Sequence, residues 1–256
     1  MARVKCIFCF ETGDRAKEHI WPKWIHEFDD TSDSKVIVGR HFGSPMTGLK
    51  LLDERTQSDN SFVFGQVCQS CNNGWMSRLE SRAMPLLKNA ADEGVNAAPW
   101  SNEQSRIVAG WAFKTILMIN AGTNYRKIVT KVHYRNLYNS SNPPRGVLVE
   151  VGLSKSIVAG RELAQSQNLM VLGPEETVVQ KNDRHQKRSY VIGLALKHLL
   201  LRATYWPDHT ASINPDSEMT QLFINGVSSA VDFKKVIPSE STAHLSIGMI
   251  VYPMAA

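Results

Sequence analysis

The cysteines constrain this chain more than any other feature. There are 4 in 256 residues, and they fall as two C-x-x-C pairs, Cys6 with Cys9 and Cys68 with Cys71. Cysteines used as small hydrophobes have no reason to sort into such pairs. Disulfides are disfavoured in a reducing compartment, whereas four thiolates can hold one ion in tetrahedral geometry. The spacing predicts one structural zinc ion, ahead of iron in a rubredoxin-like site or redox-active thiols, and an N-terminal segment folded around it.

The length allows one or two ordinary cores and is read as two unequal domains. The longest apolar stretches are 107–122, interrupted by Lys114, and 190–201, interrupted by Lys197 and His198. Neither reaches the roughly 20 apolar residues of a membrane span. The first residues run directly into a cysteine pair without an apolar leader, so a cytoplasmic protein with no membrane partner is expected. The formal charge is +5, unevenly spread: residues 1–100 carry 12 Lys and Arg against 13 Asp and Glu, which leaves 17 against 11 beyond. That surplus suits attraction to phosphates and equally suits a merely soluble basic protein.

Residues 21–28 read as a short helix with Pro22 in its first turn, 29–34 as a polar loop, and 35–42 and 61–67 as strands. From Asn72 to about residue 89 the pattern is helical, with Trp75, Leu79, Met84 and Leu87 as buried positions and Pro85 as a kink or division. After a linker at 94–100, Ser101 and Gln104 form a capping box. Ile107, Val108, Trp111, Ile116 and Leu117 follow at helical spacing, with a stop at 120–122. Strands are predicted over 128–132, 146–153, 169–172, 177–180, 190–196 and 245–252, and exposed loops over 139–144 and 207–217. The expected fold class is α+β, with a zinc-stapled domain over 1–95 and an accessory or nucleic-acid-binding α+β domain over 100–256.

Two further stretches stand at fixed offsets from the cysteines: Glu18-His19-Ile20-Trp21-Pro22, and Asn72-Asn73-Gly74-Trp75 directly after Cys71. With both cysteine pairs, this order resembles the HNH, or ββα-metal, endonucleases, in the zinc-stapled branch that includes phage resolvases of the endonuclease VII type. The resemblance covers residues 5–82. It implies a ββα-metal finger in which Glu18, His19 and Asn72 form the catalytic site, DNA as substrate more than RNA, and a role in restriction or phage defence. Phosphodiester hydrolysis needs a base to activate water and a cation to stabilise the developing charge. His19 would be that base. Glu18 and Asn72 offer hard oxygen ligands for Mg2+ or Mn2+.

Adjacent residues of a strand point to opposite faces, so Glu18 and His19 are expected to share a site from an irregular turn. Read alone, Glu18-His19 is an ordinary surface turn and Asn72 a helix cap. The chain departs from the family in three ways. Glu18 stands where aspartate is commoner, the spacing between the cysteine pairs implies an insertion, and no third histidine follows Asn72. Asn73 or Arg78 could substitute, Arg78 as a phosphate clamp. His26 and His41, in the insertion, read as surface histidines. The densest basic run carries Lys181, Arg184, Lys187 and Arg188, which either contact a nucleic-acid backbone or line a solvated hairpin. Arg78, Arg82 and Lys88 offer another basic face. The rival functional reading is a non-catalytic zinc-stapled nucleic-acid-binding module, which needs neither Glu18 nor His19. Homodimer formation is left open.

Overall fold

The structure is a computed structural model. It describes residues 2–22, 24–25, 36–42, 50–58, 63–123, 127–166, 169–172, 188–208, 211–214, 219–233, 238–239 and 248–251. His26, Lys181, Arg184, Lys187, the polar loop at 29–34 and the strand expected at 177–180 lie outside these residues.

The chain opens with an antiparallel hairpin, β1 (Arg3–Lys5) and β2 (Thr12–Asp14). A two-residue strand, β3 (Glu18–His19), is followed by a second antiparallel hairpin, β4 (Val36–Phe42) and β5 (Leu51–Ser58). The next strand, β6 (Val63–Phe64), returns to pair antiparallel with β3, placing Glu18 opposite Phe64 and His19 opposite Val63.

Helical structure begins at Gln69 rather than Asn72. It runs through α1 (Gln69–Cys71), a π-helical turn over Asn72–Met76, and α2 (Ser77–Glu93). The break lies at Gly74, whose φ of −95° and ψ of −107° leave the helical region, and not at Pro85. Glycine tolerates such backbone at little steric cost. Pro85 removes one backbone donor, but α2 buries Leu79, Ala83, Leu87, Ala90 and Ala91 along one side, and this packing carries the helix past it. Next comes α3 (Asn102–Gly122), with the capping box in place: Gln104 N donates to Ser101 Oγ at 3.3 Å, and Ser101 N to Gln104 Oε1 at 2.8 Å.

A helix, α4 (Lys131–Ser140), takes up the end of the segment read as a strand at 128–132. Ile128, Val129, Thr130 and Val132 are β-branched, which suggested a strand, yet Val132 is 62% exposed. Burial falls instead on His133, Tyr134 and Leu137, which share one side of a helix.

The remaining strands are β7 (Val147–Ser166), β8 (Leu169–Leu172), β9 (Tyr190–Tyr205), β10 (Ser212–Asn214), β11 (Thr220–Ile224), β12 (Val227–Ser228), β13 (Pro238–Ser239) and β14 (Gly248–Val251). The long strand β7 organises a mixed sheet. One of its edges carries β11 antiparallel, then β13 and β4 parallel, while β9 runs antiparallel along the other. Alternation then sorts the side chains. Val147, Val149, Val151 and Leu153 face the core shared with α2 and α3. Leu148 faces the opposite side, where Leu169 of β8 and Ile213 of β10 cover it together with Val191 and Trp206. On β7 and β9, Glu150 and Arg202 stand directly opposite each other as a buried pair, with Arg202 Nη2 and Nε 2.6 and 2.9 Å from Glu150 Oε2.

The result is a mixed α+β fold in three layers: helices, the β7 sheet, and the small sheet β10-β14-β8. The sheet and the core both cross the boundary expected at residues 95–100. Strand β4, from before it, pairs with β7, from after it, and Cys6 and Phe8 share one core with Val149 and Phe233. No described helix is long and apolar enough to cross a membrane.

Candidate metal centre and its surroundings

Cys6 and Cys9 sit in the turn between β1 and β2. Cys6 N donates to Glu11 O at 3.0 Å and Phe10 N to Cys6 O at 3.0 Å, closing a knuckle that presents both thiols to one side. The closure places Phe10 in the left-handed region, at φ 64°. Arg135 of α4 secures it, donating from Nη1 to Cys9 O at 3.1 Å with its guanidinium carbon 5.1 Å from the Phe10 ring centre. The second pair arrives where the chain enters helix: Cys68 precedes α1, Cys71 ends it, and Asn72 N donates to Cys68 O at 3.0 Å. Close approach of the two halves favours Gly13 in β2, where an added Cβ would stand 3.1 Å from Cys68 Cβ and press it back by a few tenths of an ångström.

All four thiols are buried, and their sulfur atoms lie within 4.8 Å of one another. Cys9 Sγ and Cys68 Sγ are 3.8 Å apart. That separation excludes a bond between them, since a disulfide needs about 2.05 Å. It fits an ion instead: a tetrahedron with metal–sulfur bonds of about 2.3 Å has edges of about 3.8 Å. The thiol of Cys71 hydrogen-bonds to Cys6 and holds it down at about 4, against the opposing effect of burial. The same contact pushes Cys71 up, and burial pushes Cys9 up. The four residues can hold a structural metal such as zinc. Phe8, packed edge-on against Trp75 at 5.3 Å and Tyr134 at 5.5 Å, walls the knuckle toward α4.

Glu18 and His19 lie in a regular strand and not in the irregular turn expected of them, because pairing with β6 holds the backbone extended. Glu18 points inward and is 8% exposed. Its Oε1 is 3.9 Å from Nζ of Lys114, a fully buried lysine of α3 that also bonds Glu80 Oε1 of α2 at 2.6 Å. Burial raises the Glu18 carboxyl to about 7; Lys114 opposes the rise and Glu80 adds to it. His19 is half-buried, and strand alternation turns it to the other face. Asn72 is half-buried at the start of the π-helical turn, with Nδ2 3.5 Å from Asn73 Oδ1. Arg78 is exposed on the first turn of α2, and Arg82 pairs with Glu103 at 3.0 Å.

His41 is not a bare surface histidine: it is half-buried, with Nδ1 3.4 Å from Nε2 of the buried Gln165. Of the basic run, Arg188 alone is described, and it is exposed. The structure thus unites the four cysteines, sets Asn72 directly beside them, and brings Glu18 to Lys114 and Glu80. Lys114 and Arg135 escaped the sequence reading. The signal for Lys114 was present, as a lysine inside an otherwise apolar helix.

What fold and centre together define is a mixed α+β protein in which a buried four-cysteine cluster, able to hold a metal ion, joins an N-terminal hairpin to the start of a helix. Comparison with protein-family models, with curated proteins and with solved structures gave no match.

Proposed function

We propose that this protein is a metal-dependent endonuclease of the HNH type that hydrolyses DNA phosphodiester bonds. One observation carries the reading: β3 pairs antiparallel with β6, and the chain then passes through Cys68 into a helical run that begins at Gln69, contains Cys71 and continues through Asn72. Such an order suits the strand–strand–helix of a ββα-metal finger, with His19 on the first strand, Asn72 one turn into the helical run and the cysteines stapling the N-terminal hairpin to that run. In this reading zinc only positions. His19 activates water, while Glu18 and Asn72 hold Mg2+ or Mn2+, and Arg78 and the basic run at Lys181, Arg184, Lys187 and Arg188 meet phosphates. A reducing compartment such as the cytoplasm suits four unlinked thiols.

The engagement of Glu18 by Lys114, and the turning of His19 to the other face of β3, favour a second reading. There the finger binds nucleic acid without cutting it. Supercoiled plasmid incubated with Mg2+ or Mn2+ decides. The first reading expects cleavage that falls by about two to four orders of magnitude in His19→Ala, the usual contribution of a general base, with zinc content unchanged. Binding without cleavage by the parent protein establishes the second, and equal cleavage by parent and variant removes His19 from the mechanism.

A further inference from the structure

A cleft of about 670 Å³ opens beside the cysteine knuckle, between β1, β6, the end of α3 and the start of α4. Its size lies within the range of small-ligand pockets, about 300–1,000 Å³. Three lysines line it, Lys5, Lys127 and Lys131, and no described carboxylate does. Between the lysines the wall is largely apolar, and the aromatic residues Phe10, Phe64 and Tyr134 are among those lining it. Lys127 is fixed in place by donating to the carbonyls of Ala121 and Thr123, which end α3. Lys5 and Lys131 are exposed. Lys131 is the first residue of α4, so its charge adds to the positive end of that helix.

Cations that no described carboxylate offsets, over a wall rich in apolar and aromatic residues, suit a ligand that is anionic at one end and flat and apolar at the other. We infer that this cleft binds a nucleotide unit of a single-stranded nucleic acid, its phosphate at Lys5 and Lys131 and its base against those aromatic residues. The inference rests on the nuclease reading above and specifies the form of its substrate. Placement favours a nucleotide over other amphiphilic anions, because Phe64 is the cross-strand partner of Glu18 and the cleft therefore abuts the face of the β3–β6 pair that carries Glu18. Single strands are favoured over duplex because base faces are stacked away in a duplex, whereas an exposed base can stack on an aromatic platform.

The test uses the zinc-loaded full chain without added Mg2+, a labelled short oligothymidylate, and a labelled hairpin duplex, with binding followed by anisotropy across a salt series. Lys5→Gln/Lys131→Gln should bind the oligothymidylate at least tenfold more weakly. Its log affinity against log salt should flatten by about 0.7, the value for one single-strand phosphate contact, while duplex binding changes less. An oligonucleotide carrying 5-iodouracil should cross-link within residues 4–10, 64–66 or 129–134. Unchanged affinity and slope, or cross-links elsewhere, overturn the proposal. So does laurate that binds through the two lysines while the oligothymidylate does not. Cleavage separates this proposal from the reading beneath it. Lysine-dependent binding by a protein that never cuts keeps the cleft and sinks the nuclease; His19-dependent cutting with unchanged single-strand binding in the double variant does the reverse.

Discussion

Lys114 carries its charge into the middle of a helix whose neighbours are all buried, and two carboxylates from different elements meet it there. The pairing ties β3, α2 and α3 at one point. Such ties add little net stability, but removing one partner leaves an uncompensated buried charge and costs about 3–5 kcal/mol. A second buried group titrates in an accessible range. His133 accepts or donates through Nδ1 to the Tyr190 hydroxyl at 2.7 Å, packs edge-on against Tyr205 at 4.4 Å, and is 4% exposed. Burial lowers its pKa from 6.5 to about 4. The folded state therefore keeps His133 neutral where the unfolded chain has already protonated it. Its contribution is fully present above about pH 6.5 and is lost as pH falls toward 4, on the order of 3 kcal/mol in all. Glu18, raised to about 7, works in the opposite direction across part of the same window, so the test is the difference between proteins: the stability of the parent relative to His133→Gln in thermal melts should fall as pH drops from about 6.5 toward 4. Parallel slopes would place the titrating group elsewhere.

Helix α4 is the element that most changes the picture drawn from the sequence. The segment leading into it, 128–132, reads as a strand because Ile128, Val129, Thr130 and Val132 have the composition of one; which side of that segment meets the core is a tertiary fact that no local window contains. The capping box of α3 and the strand Leu169–Leu172 were legible because their signals are local: a reciprocal pair of hydrogen bonds, and a short apolar run between breakers. The four-cysteine cluster was legible for a related reason, since each half is a local spacing. The strand pairing of β3 with β6 was not, because the partner lies beyond an insertion of unpredictable shape. From α4, Arg135 reaches back to the knuckle, bonding Cys9 O and covering Phe10. Groups that support metal ligands from outside typically influence metal affinity by about 10–100-fold. Arg135→Ala should therefore lower zinc affinity by about tenfold in competition with a chromogenic chelator, with far-ultraviolet circular dichroism unchanged. Equal zinc affinity would show that the knuckle stands without α4.

At the scale of the whole molecule, the four-cysteine cluster and the β7 sheet share one core, so the two expected domains do not have separate interiors. Binding energy at a four-cysteine site is folding energy. Chelation should lower a single cooperative melting transition and speed amide exchange in Tyr190–Tyr205 as well as in the knuckle, and Cys71→Ser should do the same. Two separate transitions, with exchange in β9 unaffected, would show that the halves are energetically independent. The parallel pairing of β4 with β7 has a temporal consequence. His41 and Gln165 are 124 residues apart along the chain, so during synthesis hairpin β4–β5 emerges long before its neighbour exists. Loops of that length close slowly, and contacts so distant lengthen folding times. Until then one edge of β4 stays open to whatever strand is at hand, so the growing chain has an interval of vulnerability that ends only when β7 leaves the ribosome and takes its place.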